Sequence, residues 1–412
     1  MSGETVEPTN KVFQAHPAKD WIEKALVVIL HSSSVTRTLC NTTWIRRKSW
    51  PQMPTGRRRN LRVADLFSGC GGLSLGAFEA ARVNGLKPKV VLAVDLDETA
   101  LGVYRANFRV NSKTARIADI TKLFAGRLAA NLTPVEKKLR EKCGRVDLLV
   151  AGPPCQGHSD LNNSSRRRDP RNSLYLRVVR AAKVLKPSVV LIENVPAVVH
   201  DKGRVVARAK SGLEKLGYQV EGDLIEAVKI GLAQTRRRHL LVAVRAGKPD
   251  FGFIEELKVK KPKTVRDYIG DLVGLNGSRV PLFDFASGMS KRNRTRVRFL
   301  YENNRYDLPN HRRPECHHDD HSYVSMYGRL RWTKPAQTIT SGFGSMGQGR
   351  FLHPSQRRTL TPHEAARLQG FPDFFKFSTV SARTALQTTI GNAVPPKLGA
   401  VFVDHLIRAG HL

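Results

Sequence analysis

The chain has 412 residues, of which 41% are hydrophobic, so it can form one large globular domain or two of ordinary size. Its 69 Lys and Arg residues against 35 Asp and Glu give a net charge of +34, which predicts a polyanionic partner such as nucleic acid. The sequence has neither an apolar run of membrane-spanning length nor a secretory signal, so we expect no membrane association and no secretion.

The five cysteines are odd in number and scattered, and none belongs to a CxxC pair. This pattern argues against disulfides and zinc ribbons, and it predicts a reducing compartment. The size of the chain suggests a bacterial origin, so we expect a cytoplasmic location. The run ECHHDDH (residues 315–321) holds metal-ligand residue types. We favour a solvated loop over a metal site there, because no second cluster of ligands supports the metal.

Residues 1–60 are rich in Ser, Thr, Arg and Lys and show little periodicity, so we expect a basic, poorly ordered extension. From residue 61 short apolar runs alternate with helical patterns. Predicted strands lie at 61–67, 89–97, 145–152, 188–195 and 239–245, and predicted helices lie at 72–85, 98–108 and 173–186. The alternation predicts an α/β fold, a doubly wound and mostly parallel sheet that spans residues 61–246.

The alternation stops after about residue 247. Residues 247–355 are irregular and basic, and they include the glycine-rich, apparently flexible stretch GFGSMGQGR (342–350). Helical patterning returns with Thr361 as N-cap and Pro at the first position, and a final helix follows Pro395 and Pro396. We therefore expect an insert at 247–355 and a segment at 356–412 that returns to the sheet domain.

The stretch DLFSGCGGLSLG (65–76) joins the first predicted strand to the first helix. Gly69, Gly71 and Gly72 allow the backbone to approach a ligand closely at the carboxyl end of the sheet. The spacing is not a strict GxGxxG, since Ser74 stands where the third glycine would be. Ordinary turn chemistry explains many such loops, so the acids nearby decide the interpretation.

Asp95 ends the second predicted strand, where a carboxylate can bind the ribose hydroxyls of an adenosine. Asp119 follows a third short strand and can accept a hydrogen bond from an adenine amino group. No lysine follows the glycines as it does in a P-loop. The pattern therefore favours a nucleoside cofactor with little phosphate.

The stretch VDLLVAGPPCQGHSD (146–160) places Cys155 after a buried strand and two prolines. The prolines end the strand and stiffen the loop, and the carboxyl end of a parallel strand is where ligands bind. A structural cysteine needs no such loop, whereas a nucleophile needs exposure and a fixed direction. We therefore predict a reactive thiol.

Glu193 ends the next predicted strand at the same edge of the sheet, after an apolar run with no other charge. A carboxylate there is costly unless it pairs or takes part in chemistry. Gln234, Arg236 and Arg238 precede a further strand and point one way in extended chain.

A thiolate, an acid and arginines beside a nucleoside-type methyl donor suit methylation at carbon 5 of cytosine. Carbon 5 becomes nucleophilic when a thiolate adds to carbon 6 and a carboxyl group binds ring nitrogen 3. Cys155 and Glu193 take these roles, while Arg236 and Arg238 contact the base carbonyl and order the loop. S-adenosylmethionine supplies the methyl group, and a base then removes the carbon-5 proton.

The quoted residues resemble the cytosine-5 DNA methyltransferases. DLFSGCGGLSLG, GPPCQGHSD, ENV, QTRRR, TLTPHEAARLQGFPD and GNAVPP look like the motifs of that family, in its usual order. The resemblance covers residues 61–412 apart from the insert. It implies a methyltransferase-type sheet, an insert that recognises the target, and a double-stranded DNA substrate whose cytosine is flipped out.

By this resemblance Gln156 and Ser159 belong to the mobile catalytic loop together with Cys155. The cofactor-binding residues that we predict are Asp65, Phe67, Gly69, Gly71, Gly72, Asp95, Asp119, Pro154, Asn392 and Val394. Two positions depart from the family pattern: His158 replaces the usual Phe in the catalytic loop, and Leu96 stands where a bulkier residue often contacts adenine.

Two alternatives remain. A tRNA-type cytosine-5 methyltransferase shares the catalytic motifs, but it usually has Thr at the position of Ser159. A catalytically inactive DNA-binding module would have lost Cys155 or Glu193, and both are present. We expect a monomeric enzyme without a metal ion, and a partner restriction endonuclease remains open.

Overall fold

A computed structural model describes residues 39–56, 58–154, 173–257, 259, 261–273, 280–318 and 325–412, with only the backbone of Cys316. Seven strands form one sheet in these residues. They are β1 (Asn60–Leu66), β2 (Lys87–Asp95), β3 (Ala115–Ile117), β4 (Leu148–Ala151), β5 (Val189–Asn194), β6 (Gln219–Glu226) and β7 (Arg237–Val244).

The strand order is β3-β2-β1-β4-β5-β7-β6. The first five strands of the chain pair in parallel, whereas β7 runs antiparallel to both β5 and β6. The predicted doubly wound, mostly parallel sheet is thus confirmed. The antiparallel edge arises where β6 and β7 follow each other without an intervening helix.

The helices cover both faces of the sheet. They are α1 (Thr42–Ile45), α2 (Gly72–Val83), α3 (Glu98–Phe108), α4 (Ile120–Leu123), α5 (Pro134–Cys143), α6 (Leu174–Leu185), α7 (Val205–Glu214), α8 (Phe253–Glu256), α9 (Val265–Ile269), α10 (Lys291–Glu302), α11 (Pro362–Leu368), α12 (Arg383–Asn392) and α13 (Pro396–Arg408). Short 3₁₀ turns occupy Pro196–His200, Gly270–Leu272, Asn310–Arg312, Glu315–His317 and Met346–Gln348. None of the described helices is long and apolar enough to cross a membrane.

The two central strands are buried on both faces, since every residue of β4 and β5 is buried. One face packs against α5, α6 and α7, and the other against α2 and α13. Helices α2 and α13 cross closely, because a Cβ on Gly76 would lie 2.1 Å from the carbonyl oxygen of Pro396. Continuous apolar strands of this kind are expected for a parallel sheet covered by helices.

The chain before β1 is packed over part of its length. We expected a poorly ordered extension to residue 60, yet Leu39, Trp44 and Ile45 are buried in the same core cluster as the C-terminal segment. The expectation fails for residues 39–56 because a few apolar side chains among basic ones suffice to anchor a short segment. Residues 1–38 lie outside the described part of the chain.

The insert contributes to three hydrophobic clusters. A small core of its own contains Val297 and Leu300 of α10 together with Leu308, Met326, Tyr327, Met346 and Leu352. Its beginning instead packs on the sheet domain, where the ring of Phe253 stacks at 4.0 Å on His405 of α13. The division of the insert at residues 247 and 355 stays a prediction, since these clusters do not follow it.

The glycine-rich stretch at 342–350 is closely packed, contrary to the flexibility that we expected from its composition. Phe343 and Met346 are buried, and a Cβ on Gly342 would lie 1.9 Å from Oε1 of Gln348. A Cβ on Gly344 would lie equally close, 1.9 Å, to Nε2 of Gln387. These glycines therefore permit close contacts rather than a loose chain.

Candidate active site

The glycine loop between β1 and α2 takes a backbone path that favours glycine. Gly69 and Gly71 have φ values of 50° and 97°, and Phe67 also lies in the left-handed region at 55°. Gly71 precedes the first residue of α2, so the backbone N–H groups at the start of that helix face the carboxyl edge of the sheet. This geometry is suited to a ligand held by backbone groups.

Asp65 lies beneath this loop at the end of β1 and is 1% exposed. The Ser74 hydroxyl donates to Oδ2 of Asp65 at 2.6 Å and lies 2.8 Å from the hydroxyl of Tyr104. Burial raises the pKa of Asp65 to about 7, although the hydrogen bond from Ser74 lowers it. Ser74, at the position of the third glycine, thus makes side-chain hydrogen bonds that a glycine cannot make.

Asp95 closes the loop from β2. The Gly69 amide donates to Oδ2 of Asp95 at 2.7 Å, and the Asp97 amide donates to Oδ1 at 2.9 Å. Burial raises the pKa of Asp95 above its usual value, while these backbone hydrogen bonds lower it. Beside it Leu96 is 69% exposed and Ile117 is 46% exposed, so two apolar side chains flank the carboxylate at the open edge of the sheet.

Asp119 lies at the same edge but is engaged locally. Its side chain caps α4 and accepts hydrogen bonds from the amide and the hydroxyl of Thr121, at 2.8 Å and 2.7 Å. The Thr121 hydroxyl is the largest cause that lowers the pKa of Asp119. The contact of Asp119 with an adenine amino group remains a prediction. It would use Oδ2, because both hydrogen bonds from Thr121 go to Oδ1.

The C-terminal segment forms the other wall of the loop. A Cβ on Gly72 would lie 1.9 Å from the carbonyl oxygen of Val394, so only glycine allows this approach. Asn392 at the end of α12 is exposed, and Val394 is half-buried near Gly152. The predicted cofactor residues from the two ends of the sequence therefore meet at one site.

Glu193 lies at the carboxyl end of β5, next to the strand that leads to Cys155. Its Oε1 lies 2.7 Å from Nε of Arg238 on β7, and both side chains are largely buried, at 7% and 13% exposed. The contact is an ion pair. Asn194 donates to the carbonyl oxygen of Pro153 at 3.3 Å and so fixes the turn before the half-buried Pro154.

Arg236 is buried and contacts main-chain carbonyls of other segments. Its guanidinium donates to the carbonyl oxygens of Ile339 and Ala393, both at 3.4 Å, and to Oε1 of Gln369 at 3.3 Å. Gln234, two residues earlier, also donates to Gln369 at 3.1 Å, as the shared direction of these side chains predicted. This position suits the ordering role that we predicted for Arg236, and Arg238 is the arginine beside the carboxylate.

Sequence reasoning missed Gln369, which is fully buried at the centre of these contacts. It also donates to the carbonyl oxygen of Ile390 at 2.9 Å. The available signal was its place in ARLQGFPD, part of one of the motifs on which the family resemblance rests. Its contacts join the residues just before β7 to the segment that carries Asn392 and Val394.

Cys155, Gln156 and Ser159 lie outside the described residues, so their predicted roles stay predictions. Cys40, Cys70 and Cys143 are buried, and burial raises the pKa of each thiol. A buried thiol with a raised pKa is a poor nucleophile. Within the described ranges no group of three His, Cys, Asp or Glu residues could hold a metal ion; part of the run at 315–321 falls outside them.

Residues 61–408 match the model of the C-5 cytosine-specific DNA methylase family. The chain belongs to this family. It is 44% identical to the type II methyltransferase M1.BsuMI of Bacillus subtilis, over 90% of this chain and 86% of that protein. It is 31% identical to the type II methyltransferase M1.HphI of Haemophilus parahaemolyticus, over 85% of this chain and 87% of that one.

Solved structures share the fold of this family member. A prophage-encoded DNA modification methyltransferase (E. coli) superposes with a TM-score of 0.57 at 25% identity, covering 84% of this chain and 98% of its own. The S. pombe Dnmt2 methyltransferase gives a TM-score of 0.58 at 19% identity, over 85% and 100% of the two chains, and supports the fold alone. The chain is a DNA cytosine-5 methyltransferase, and S-adenosylmethionine is its methyl donor.

The residues at the glycine loop fit this methyl donor. Oδ1 of Asp65, the hydroxyl of Ser68 and the hydroxyl of Thr389 are buried with no hydrogen-bond partner among the described residues. Buried polar atoms without partners are rare in native proteins and indicate groups reserved for a ligand or water. Together with the exposed Leu96 and Ile117 they offer polar and apolar contacts to a nucleoside bearing an amino acid.

Proposed function

We propose that this enzyme methylates one cytosine within a specific sequence of duplex DNA, with Cys155 as nucleophile and Glu193 as the partner of ring nitrogen 3. The observation that carries the proposal is the position of Glu193. It is a largely buried carboxylate, paired with Arg238, at the end of the strand next to the one that leads to Cys155. Cys40, Cys70 and Cys143 do not compete with Cys155, since these three are buried.

In this mechanism the Cys155 thiolate forms a bond to carbon 6 of the flipped-out cytosine, and the electron pair of the 5,6 double bond moves to carbon 5. Glu193 holds a proton at nitrogen 3, which stabilises the adduct. S-adenosylmethionine supplies a methyl group to carbon 5. A base removes the carbon-5 proton, the bond from sulfur to carbon 6 breaks, and the thiolate is restored.

Arg238 acts on this chemistry through Glu193. A guanidinium at 2.7 Å orients the carboxyl group and offsets the cost of burying it. Arg236 orders the surrounding segments, since it binds the carbonyl oxygens of Ile339 and Ala393. Gln156 and Ser159 belong, by the family motif, to the loop that closes over the DNA.

We propose that Asp65, Phe67, Gly69, Gly71, Gly72, Asp95, Asp119, Pro154, Asn392 and Val394 hold the methyl donor. Asp95 would bind the ribose hydroxyls, and the exposed Leu96 and Ile117 would contact the adenine. The contact that supports this set is the approach of Gly72 to the carbonyl oxygen of Val394, which joins both ends of the sequence at one loop.

Target recognition belongs, in this proposal, to the insert at 247–355. Its helix α10 buries Val297 and Leu300 and presents basic side chains to solvent on its other sides. Phosphate contacts position such an enzyme, and side chains that reach the base edges specify the sequence. A chimera that carries the insert of another family member should methylate the donor's site, and retention of the original site would contradict this division.

We further propose that the enzyme is the monomeric modification component of a bacterial restriction–modification system, bound to the nucleoid in the cytoplasm. Two relatives named type II methyltransferases, at 44% and 31% identity, support this. The tRNA-type alternative shares the catalytic motifs but usually has Thr at the position of Ser159, and it is the weaker candidate. A cognate endonuclease would cleave unmethylated DNA at the same site.

The test is methylation of duplex DNA by the full chain, with tRNA assayed in parallel and bisulfite sequencing of host DNA to locate the site. C155S should lose methyl transfer and keep S-adenosylmethionine binding, because a hydroxyl is a far weaker nucleophile than a thiolate. Turnover within tenfold of the wild type would exclude Cys155 as the nucleophile. Methylation of tRNA but not of DNA would favour the alternative.

A further inference from the structure

The segment at residues 39–50, here called the N-terminal strap, lies before the part of the chain that matches the family. That match begins at residue 61, yet the strap contacts the C-terminal segment, the sheet domain and the insert. Its sequence suggested only a basic extension. Two of its contacts lead toward the glycine loop, and a third group reaches α9 in the insert.

The first contact joins Leu39 to the C-terminal wall of the cofactor site. Nζ of Lys397 donates to the carbonyl oxygen of Leu39 at 2.8 Å. Lys397 is 3% exposed and lies in the first turn of α13, three residues after Val394, whose carbonyl oxygen faces Gly72. Burial lowers the pKa of Lys397 to about 8. The buried amine of Lys397 thus has a carbonyl oxygen of the strap as its hydrogen-bond partner.

The second contact leads from Trp50 to the glycine loop itself. The ring of Trp50 lies 4.7 Å from that of Phe374 and 6.2 Å, edge to face, from that of Phe108. Phe108 supports the loop, because a Cβ on Gly71 would lie 2.4 Å from its ring. Phe108 also packs at 4.4 Å on Tyr104, whose hydroxyl bonds Ser74.

The third group of contacts joins the strap to the C-terminal segment and to the beginning of the insert. The Asp373 amide donates to the carbonyl oxygen of Ile45 at 2.9 Å. Arg46 donates to the carbonyl oxygen of Asp267 at 2.9 Å and pairs with Asp271 at 3.2 Å. Asp271 also binds Arg367 of α11, so the strap, the insert and the C-terminal segment share one network.

We infer that the N-terminal strap is a positioning element of the cofactor site. It supports the glycine loop from both sides, through Trp50 and Phe108 on one and through Lys397 and Val394 on the other. Sites that bind small molecules need their supporting residues held to within about half an ångström. Loss of the strap contact at Trp50 therefore weakens the binding of S-adenosylmethionine more than it slows the chemical step.

This inference rests on the assignment of the glycine loop as the cofactor site. A strap that only added stability would act differently: its loss would lower the melting temperature and leave cofactor affinity unchanged in the folded protein. The two cases are separated by comparing the dissociation constant for the cofactor with kcat at saturating cofactor.

The experiment uses the full chain with W50A, W50F and the matched control W332A. Trp50 and Trp332 are both half-buried, and Trp332 packs in the insert against His353, with rings 5.2 Å apart. Calorimetry with S-adenosylmethionine gives the dissociation constant, thermal unfolding gives stability, and steady-state methylation gives kcat and KM. W50L, which keeps apolar volume, replaces W50A should that variant not fold.

We expect W50A to raise the dissociation constant and the KM for the cofactor roughly tenfold, which corresponds to about 1.4 kcal/mol, with kcat within about threefold. W50F should stay within about twofold of the wild type, and W332A should lose stability without losing cofactor affinity. A W50A protein that is less stable but binds the cofactor as the wild type does would overturn the inference. Absence of binding by the wild type would instead contradict the proposed function.

Discussion

Arg238 on β7 and Glu193 on β5 form a largely buried ion pair at 2.7 Å in the candidate active site. The pairing of β5 with β7 is antiparallel, with Glu193 opposite Leu240, so Arg238 reaches the carboxylate from two residues along the partner strand. A buried carboxylate without such a partner would be costly. The antiparallel strand β7 thus supplies Arg238, the side chain that holds the carboxylate of Glu193.

We expect E193Q to reduce the rate of methyl transfer by two to three orders of magnitude, roughly the size typical of a positioned acid–base group. The amide cannot carry the carboxyl proton to nitrogen 3. Single-turnover methylation at saturating DNA and cofactor measures the change. The affinity for S-adenosylmethionine, which serves as the control, should stay near the wild-type value. A loss below about threefold would assign the nitrogen-3 contact to another residue.

G72A should abolish or strongly weaken cofactor binding. Its Cβ would lie 1.9 Å from the carbonyl oxygen of Val394, and because that atom belongs to backbone the wall of the site must move. The matched control is G85A, a glycine with a φ of 72° and open space around it, which should show only the backbone strain of roughly 1 kcal/mol. Calorimetry on both variants compares them. Equal cofactor affinity in G72A and G85A would mean that the backbone at Val394 moves to accommodate the new Cβ.

The buried carboxyl of Asp65 should make stability depend on pH. Its pKa is raised to about 7 by burial, so the folded state holds the proton more tightly than the unfolded state. The stabilisation is full below about pH 4 and is lost as the pH rises through 7. Relative to D65N, the wild type without cofactor should lose at most about 4 kcal/mol of unfolding free energy across this range. Urea unfolding of both proteins at several pH values measures this loss. If the unfolding free energies of the wild type and D65N changed in parallel with pH, the prediction would be wrong.

DNA binding should weaken steeply with salt, with a log–log slope of roughly −5, because a protein this basic neutralises on the order of six phosphates. Replacing Lys291, Arg292 and Arg294 of α10 by Gln should make the slope shallower by about two to three. These side chains are exposed on the insert. The control replaces Lys137 and Lys138, which are exposed on α5 outside the insert, and should change the slope little. If the substitutions on α10 and those on α5 changed the salt slope equally, the DNA would not bind at α10.

Sequence patterns predicted the central part of the fold well. The predicted helix at 98–108 has the bounds of α3, and its N-cap Asp97 accepts from the Ala100 amide as expected of such a residue. The apolar run that ends in Glu193 is β5, buried throughout. These elements were predictable because their residues pack on both sides and their ends carry local signals.

The missed elements carry weaker signals. Strand β6 lies at the edge of the sheet and buries few of its residues, and α5 is a charged helix with only three buried side chains. Contacts between distant residues were also invisible. Nothing near Arg236 indicates that it binds Ile339, 103 residues away, and nothing near Lys397 indicates Leu39, 358 residues away. Such partners follow from the fold and not from local sequence.

Cys40, Cys70 and Cys143 are buried, which sharpens the test of the covalent step. Cys70 lies in the glycine loop, near the proposed cofactor site, but it is 2% exposed and burial raises the pKa of its thiol. A covalent adduct with the DNA should therefore form at Cys155 alone. Cys70 provides an internal comparison, because an adduct there would mean that proximity to the cofactor decides reactivity.

The most direct measurement is the trapping of that adduct on DNA with 5-fluorocytosine at the target position. Fluorine at carbon 5 cannot leave as a cation, so the methylated base should stay bonded to the enzyme. In the presence of S-adenosylmethionine we expect a complex that survives denaturant, with peptide mapping that assigns the bond to Cys155. Absence of the complex, with activity on ordinary DNA intact, or mapping to Cys70 would contradict the account.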